Sequence, residues 1–172
     1  YPSVVGAANP SRPKADLGDG TEGWTFQVQL TNVSDDAHTY TLGGQALSEM
    51  VEEGLFAEHS QNWAGQGIDL TYSADSVTVP AASSATVTVT VNPRAEFTSF
   101  ATKQTPNGTF VDGAVTFTSA DGQPDLTVPY LGFYGAVTNT PIFDSPVYGK
   151  ETIGTSAMTF HGLTLGQLNP FD

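Results

Sequence analysis

Residues 24–34 read Trp-Thr-Phe-Gln-Val-Gln-Leu-Thr-Asn-Val-Ser, and their alternation decides the fold class. Trp24, Phe26, Val28 and Leu30 fall on one side of an extended chain, with Thr25, Gln27, Gln29 and Thr31 on the other. Successive strand side chains point to opposite faces, so the pattern predicts a strand with one dry face and one wet face. Such a strand belongs to an antiparallel sheet, since parallel sheets are covered on both faces. Residues 32–36 supply turn chemistry, and alternation resumes over residues 38–42 with Tyr40 and Leu42 inward.

Further along, residues 76–80 (SVTVP) and 85–91 (ATVTVTV) flank the turn AASS and read as a hairpin. A second hairpin joins residues 109–119 to 125–133 around ADGQPD, whose Asp-Gly is a strong turn signal. Residues 68–72 make a short strand, and Phe97 and Phe100 share one helical turn after Pro93. Residues 43–67 are less regular: Leu47, Met50, Val51 and Leu55 recur at helical spacing, with Glu49, Glu52 and Glu53 opposite. We read that segment as a short helical or irregular excursion. Seven or so short strands separated by turns predict an all-β chain folded as an antiparallel β-sandwich. Phe26, Val28, Val89, Val115 and Phe117 are its expected core. Residues 1–13, rich in Pro, Ser, Ala and Gly, read as an arm or linker, residues 14–135 as the sandwich, and residues 136–172 as an extended tail.

The chain has 172 residues, 5 Lys and Arg against 18 Asp and Glu, and a formal net charge of −13. That field disfavours nucleic acid and insertion into anionic membranes. No run is apolar for long enough to span a bilayer as a helix. The absence of cysteine excludes disulfides, thiolate metal sites and cysteine nucleophiles, and leaves the compartment open. A start at Tyr1 with no basic, apolar leader reads as a segment of a longer protein.

Little chemistry stands out. Residues 153–158, IGTSAM, begin like the serine motif of subtilisin-like proteases, but no helix-forming run follows Ser156 and no partner motif for a base is present. Ser156 therefore reads as a chance match, and no catalytic residue is expected. His38, His59 and His161 are isolated, without ligands at metal spacing. Asp16, Asp19 and Glu22 in DLGDGTE do not match a calcium loop and read as a turn, as do Asp121 and Asp125. The carboxylates of Glu49, Glu52, Glu53 and Glu58 read as a solvated face. GGQA and GQG lack the Lys and context of a phosphate loop. No cofactor or metal is expected. Trp24, Trp63 and Tyr72 would make a sugar-stacking platform, although Trp24 has inward parity; Trp63, in SQNWAGQG, stays open as a surface-binding residue.

NGTFVDGAVTF (residues 107–117), LTVPYLGFYG (126–135) and PIFD (141–144), in that order, resemble a fibronectin type III-like domain of Gram-positive cell-envelope subtilisin-like serine proteases. These are the lactocepins and the streptococcal complement-inactivating peptidases. FQVQLTNVSDDAHTYTL and VTVPAASSATVTVTVNP fit the same domain, so the resemblance spans residues 14–144. It implies an extracellular, wall-associated parent and a non-catalytic accessory domain, with the protease domain of the same chain and its protein or peptide substrates as partners. The 43–67 segment is longer than the generic pattern. The resemblance also gives a reading of DLTVPYLGFYG, where Pro129 removes a ladder donor and Gly132 and Gly135 bracket aromatics. Tyr130, Phe133 and Tyr134 either form a rim that docks on the protease domain or close the sandwich's own core. The alternative function is a glycan-binding or adhesive surface module built on Trp63.

Overall fold

The computed structural model describes residues 1–5, 12–51 and 58–139. The expectations for Glu52, Glu53, Leu55, Ser156 and His161, and for most of the 136–172 tail, lie outside the described residues. Among the described residues ten strands run in chain order: β1 (Pro2–Val5), β2 (Ala15–Gly20), β3 (Trp24–Thr31), β4 (His38–Val51), β5 (Glu58–Asn62), β6 (Ile68–Tyr72), β7 (Ser76–Val79), β8 (Ser84–Pro93), β9 (Thr109–Ser119) and β10 (Leu126–Tyr134). One helix, α1 (Ala95–Gln104), lies between β8 and β9, and a 3₁₀ turn, Val137–Asn139, follows β10. They form two sheets, one ordered β1-β3-β8-β6 and the other β2-β10-β9-β4-β5, with β7 also on β4. The fold is the all-β sandwich that the alternation predicts.

β3 shows why. Its even-numbered side chains are buried and Thr25 and Gln27 exposed, while β8 pairs with it from Trp24↔Val91 to Thr31↔Ser84. Facing it across the sandwich, β9 buries Val111, Val115 and Phe117, and β10 buries Val128 and Tyr130. Phe26, Val28, Val89, Val115 and Phe117 all lie in this core. Phe97 and Ala101 of α1 close one end, completely or almost completely buried.

Four local expectations are corrected. The 76–91 stretch is not a hairpin: β7 pairs with residues 38–41 of β4 in one sheet, and β8 pairs with β3 and β6 in the other. Alternation satisfies either arrangement; tertiary bonds choose, since Asn32 Nδ2 donates to Val79 O at 3.3 Å and to Pro80 O at 3.1 Å and pins the crossing. Residues 43–51 are no helical excursion either. β4 runs for 14 residues, and a Cβ at its Gly44 would meet Ala114 O of neighbouring β9 and the side chains of Leu70 and Tyr72 on β6 of the opposite sheet. The arm begins inside the sandwich, because β1 pairs Pro2↔Leu30 through Val5↔Gln27 and buries Val4. Pro2 is tolerated because it opens an edge strand. Finally, pairing is not wholly antiparallel, for β2 runs parallel to β10.

DLTVPYLGFYG does not break its strand. β10 pairs with β9 without interruption from Leu126↔Phe117 to Tyr134↔Thr109. β2 joins the other side only at Tyr130↔Ala15, so Pro129 stands one residue short of that ladder, where a missing N–H is tolerated.

Candidate functional site

The aromatics of β10 split by parity. Tyr130 is 3% exposed, its ring lies 5.8 Å from that of Phe26, and its hydroxyl donates to Gln45 O at 2.7 Å. Burial, with smaller contributions from Tyr72 and Asp112, pushes its phenol far above the ordinary tyrosine value. Tyr134 is buried as well, edge-on to Phe97 at 5.1 Å. Both close the sandwich's own core, which corrects the reading of Tyr130 and Tyr134 as docking residues. Phe133 has the opposite parity and stays half-buried.

Phe133 has company on the outer face. It pairs across the ladder with Phe110, their rings edge-on at 5.2 Å, and Phe110 is 57% exposed. Leu131, on the same side of β10, is 47% exposed, and Pro129 is exposed beyond it. These four positions make an apolar strip on solvent-facing β9 and β10. At its Pro129 end a depression of about 260 Å³ is lined by Arg12, Lys14, Ala15, Asp16, Pro129, Tyr130 and Leu131. Two of the chain's 5 basic residues thus meet at the end of an apolar strip on a molecule of net charge −13.

Trp63 spends much of its surface on packing. Its indole packs on Phe97 at 5.4 Å and on Phe100 at 5.0 Å, and Nε1–H donates to the buried Ser48 Oγ at 2.8 Å. It is part-buried, packed against the core beside α1. Trp24 points inward, its buried Nε1 without a hydrogen-bond partner. Tyr72 is half-buried, and desolvation pushes its phenol up to about 12. Of the three rings considered for a sugar platform, Trp24 is buried, as its parity implies, and Trp63 and Tyr72 are part-buried. Two of the three DLGDGTE carboxylates accept from backbone: Asp16 Oδ1 accepts Gly18 N–H at 3.2 Å, and Asp19 Oδ2 accepts Val137 N–H at 2.9 Å.

One constellation escaped the sequence. Ser34 Oγ lies 2.9 Å from His38 Nε2, and His38 Nδ1 lies 2.8 Å from Asp121 Oδ2, across 83 residues. Asp121 is held by more than the imidazole: Ser119 Oγ–H donates to its Oδ1 at 2.8 Å, and the Thr39 N–H also bonds it. The His38 hydrogen bond first, and then that of Ser119, keep its carboxyl below the ordinary aspartate value. Ser34 and His38 border a depression of about 190 Å³ that Leu30, Tyr40, Val79 and Leu126 also line. Connectivity and distances are those of a Ser-His-Asp triad.

The surroundings of Ser34 decide against catalysis. Asn32 Oδ1 lies 2.7 Å from Oγ and the Asp36 carbonyl 3.0 Å from it, and both are acceptors only. A serine nucleophile needs its proton passed to the imidazole and donors aimed at the oxygen that becomes negative. Here two acceptors crowd the oxygen that would carry that charge. What the group does is tie loops together. Asn32 was legible as a turn residue and Asp121 as another, but only the paired strands bring them to one end.

The Fn3-like domain family matches residues 16–131. Among solved structures, the chain is similar to a family 123 glycoside hydrolase from Clostridium perfringens, at 7% identity and a TM-score of 0.48, covering 80% of this chain and 27% of that one. It is also similar to a FixG-related protein from Vibrio parahaemolyticus, at 9% identity and a TM-score of 0.46, covering 78% and 94% of the two chains. A PapD-like domain of human CEP192 shares 10% identity at a TM-score of 0.42, over 77% of this chain and 93% of that one. The chain spans about a quarter of the glycoside hydrolase's length, 27%. Likenesses this distant say nothing about activity. No curated protein matches the chain.

Proposed function

Because the chain belongs to the Fn3-like domain family, we propose that it is a non-catalytic accessory module of a secreted, cell-wall-associated subtilisin-like serine protease. In this reading it docks on the protease domain of its parent and helps to hold protein substrates. The observation that carries the docking is the outward strip of Phe110, Leu131 and Phe133 on β9 and β10. Aromatic side chains turned to water on a regular sheet are costly unless something covers them, and patches of this kind mark partner surfaces. The module thereby keeps one of its expected docking residues, Phe133, and gains two neighbours in place of Tyr130 and Tyr134.

The charge at the strip's end supports the same use. Arg12 and Lys14 give an otherwise acidic molecule a local site for a partner's carboxylates, so the apolar contact acquires a direction. The test compares the melting temperature of the parent's catalytic domain expressed alone and together with this module. Docking raises it, since anything that binds only the folded state stabilises by mass action. Phe110→Ser with Phe133→Ser should abolish that gain while leaving the isolated module's own melting within a few degrees. Equal melting of the catalytic domain with and without the module would overturn the reading.

A further inference from the structure

Pro129, Leu131 and Phe133 occupy every second position of β10, so they stand about 6.6 Å apart and the outer two about 13 Å. At one end of this row Gly108 and Gly135 form a shelf under Phe133. A Cβ on Gly108 would meet its ring at 2.5 Å, and one on Gly135 at 3.2 Å. Phe110 packs edge-on from the other strand at 5.2 Å. The half-exposed aromatic is thus held in place before anything covers it.

At the other end β2 joins β10 only from Ala15, and the residues just before it turn aside to make the depression of about 260 Å³. Arg12 O accepts the Val4 N–H, and Ala15 is 3% exposed, so the backbone bearing Arg12 and Lys14 is anchored on both sides. Both cationic residues are exposed, and neither makes an ion pair among the described residues. Asp16, which also lines the depression, has its Oδ1 on the Gly18 N–H at 3.2 Å. Elsewhere the row is flanked by acid: Asp19 is the ladder neighbour of Phe133, and Asp112 that of Leu131. Charge therefore changes sign along the strip, from carboxylates beside Phe133 to cations beside Pro129. A volume of 260 Å³ lies below the about 300–1,000 Å³ of pockets that enclose a whole ligand, and suits the end of a longer segment.

We propose that the strip receives one extended segment of the catalytic domain, about five or six residues long, with apolar side chains at alternate positions and two carboxylates at one end. The proposal rests on the docking reading above and gives the partner its chemistry. An extended chain repeats every two residues, as β10 does, so two of its apolar side chains meet Phe133 and Leu131 in step. Its acidic end then enters the Arg12–Lys14 depression. Uncharged residues fit between them, because a carboxylate at mid-strip would face Asp112. The net charge of −13 opposes any anionic partner, but at about 150 mM salt its reach falls to about 8 Å, and the two cations in contact decide. Such pairs set register and direction more than affinity.

The experiment titrates the ¹⁵N-labelled chain at about 150 mM salt with acetyl-Leu-Thr-Phe-Thr-Glu-Glu-amide, with the same peptide reversed in order, and with Gln-Gln versions of both. One acidic peptide should bind about fivefold more tightly than its Gln-Gln version, the ordinary size of two exposed charge pairs, and shift the amides of Lys14, Phe110, Leu131 and Phe133. In Arg12→Gln with Lys14→Gln the two versions should bind alike, while Phe133→Ser should weaken both. Equal binding of the two versions to the unaltered chain would overturn the proposal. So would a preference that survives in the double variant, or shifts confined to another face. Self-association of the chain that Phe133→Ser abolishes would assign the strip to a second copy and overturn it too. Docking is read separately, from the melting temperature of the catalytic domain. A gain there that Arg12→Gln with Lys14→Gln leaves whole would overturn the acidic segment alone, whereas no gain with the unaltered module would remove the docking reading itself.

Discussion

Phe117 has no solvent exposure and stands where β9 faces both β4 and β10, paired with Leu42 on one side and Leu126 on the other. Truncating it leaves a cavity that two ladders hold open, so Phe117→Ala should destabilise by about 3–5 kcal/mol in chemical denaturation. A cost under about 1 kcal/mol would mean that the sheets close over the gap. Ser34 carries the other residue-scale expectation. A fluorophosphonate requires an oxygen whose proton leaves and whose negative charge is received by donors, and Asn32 Oδ1 and Asp36 O offer the reverse. Intact-mass measurement should find the chain unlabelled. Stoichiometric labelling lost in Ser34→Ala would restore the catalytic reading that its surroundings exclude.

Elements were legible where a strand's own pattern settles its environment, and illegible where a distant partner does. β3 needs only its alternation, because a one-residue slip would turn Trp24, Phe26, Val28 and Leu30 into water. β7 and β8 alternate as cleanly, yet the pattern does not say which sheet each joins; the Asn32 side chain, 48 residues from Pro80, helps to decide it. The split of Tyr130 and Tyr134 from Phe133 was written in the same period of two, and the bracketing glycines and Pro129 disguised it. The Ser34–His38–Asp121 group had no local signature at all, since its members come from two loops and a strand end. Close approach of β9 to its neighbours gives an element-scale test. A Cβ at Gly113 would meet Gln45 O and the Tyr130 ring, which are backbone and a fully packed side chain. Gly113→Ala should therefore cost about 1–3 kcal/mol through overpacking, with an unchanged denaturant slope. A neutral result would show that β4 and β9 separate without penalty.

At the scale of the molecule, charge works against folding. The formal charge is −13, and the Arg94–Asp69 ion pair is largely exposed, at 57% and 43%. An exposed pair of that kind is worth little, so self-repulsion dominates the long-range term. Raising salt from about 10 to 150 mM shortens the screening length from about 30 to 8 Å and should raise the melting temperature. A gain of about 1 kcal/mol corresponds to about 2–4 °C for a chain of this size. Acid acts through two opposed routes. Protonating carboxylates relieves the repulsion, whereas Asp121, whose folded pKa is lowered, contributes stability that is present above its unfolded pKa and lost as pH falls through the folded one. The Asp121→Asn chain lacks the second route, so its melting temperature should fall less steeply than that of the parent as pH drops below about 4, the ordinary aspartate range. The salt response should be the same in both, because it belongs to the whole field rather than to one pair. A melting temperature that falls with added salt would mean that local pairs outweigh the net charge, and the field would then have no part in the stability of this fold.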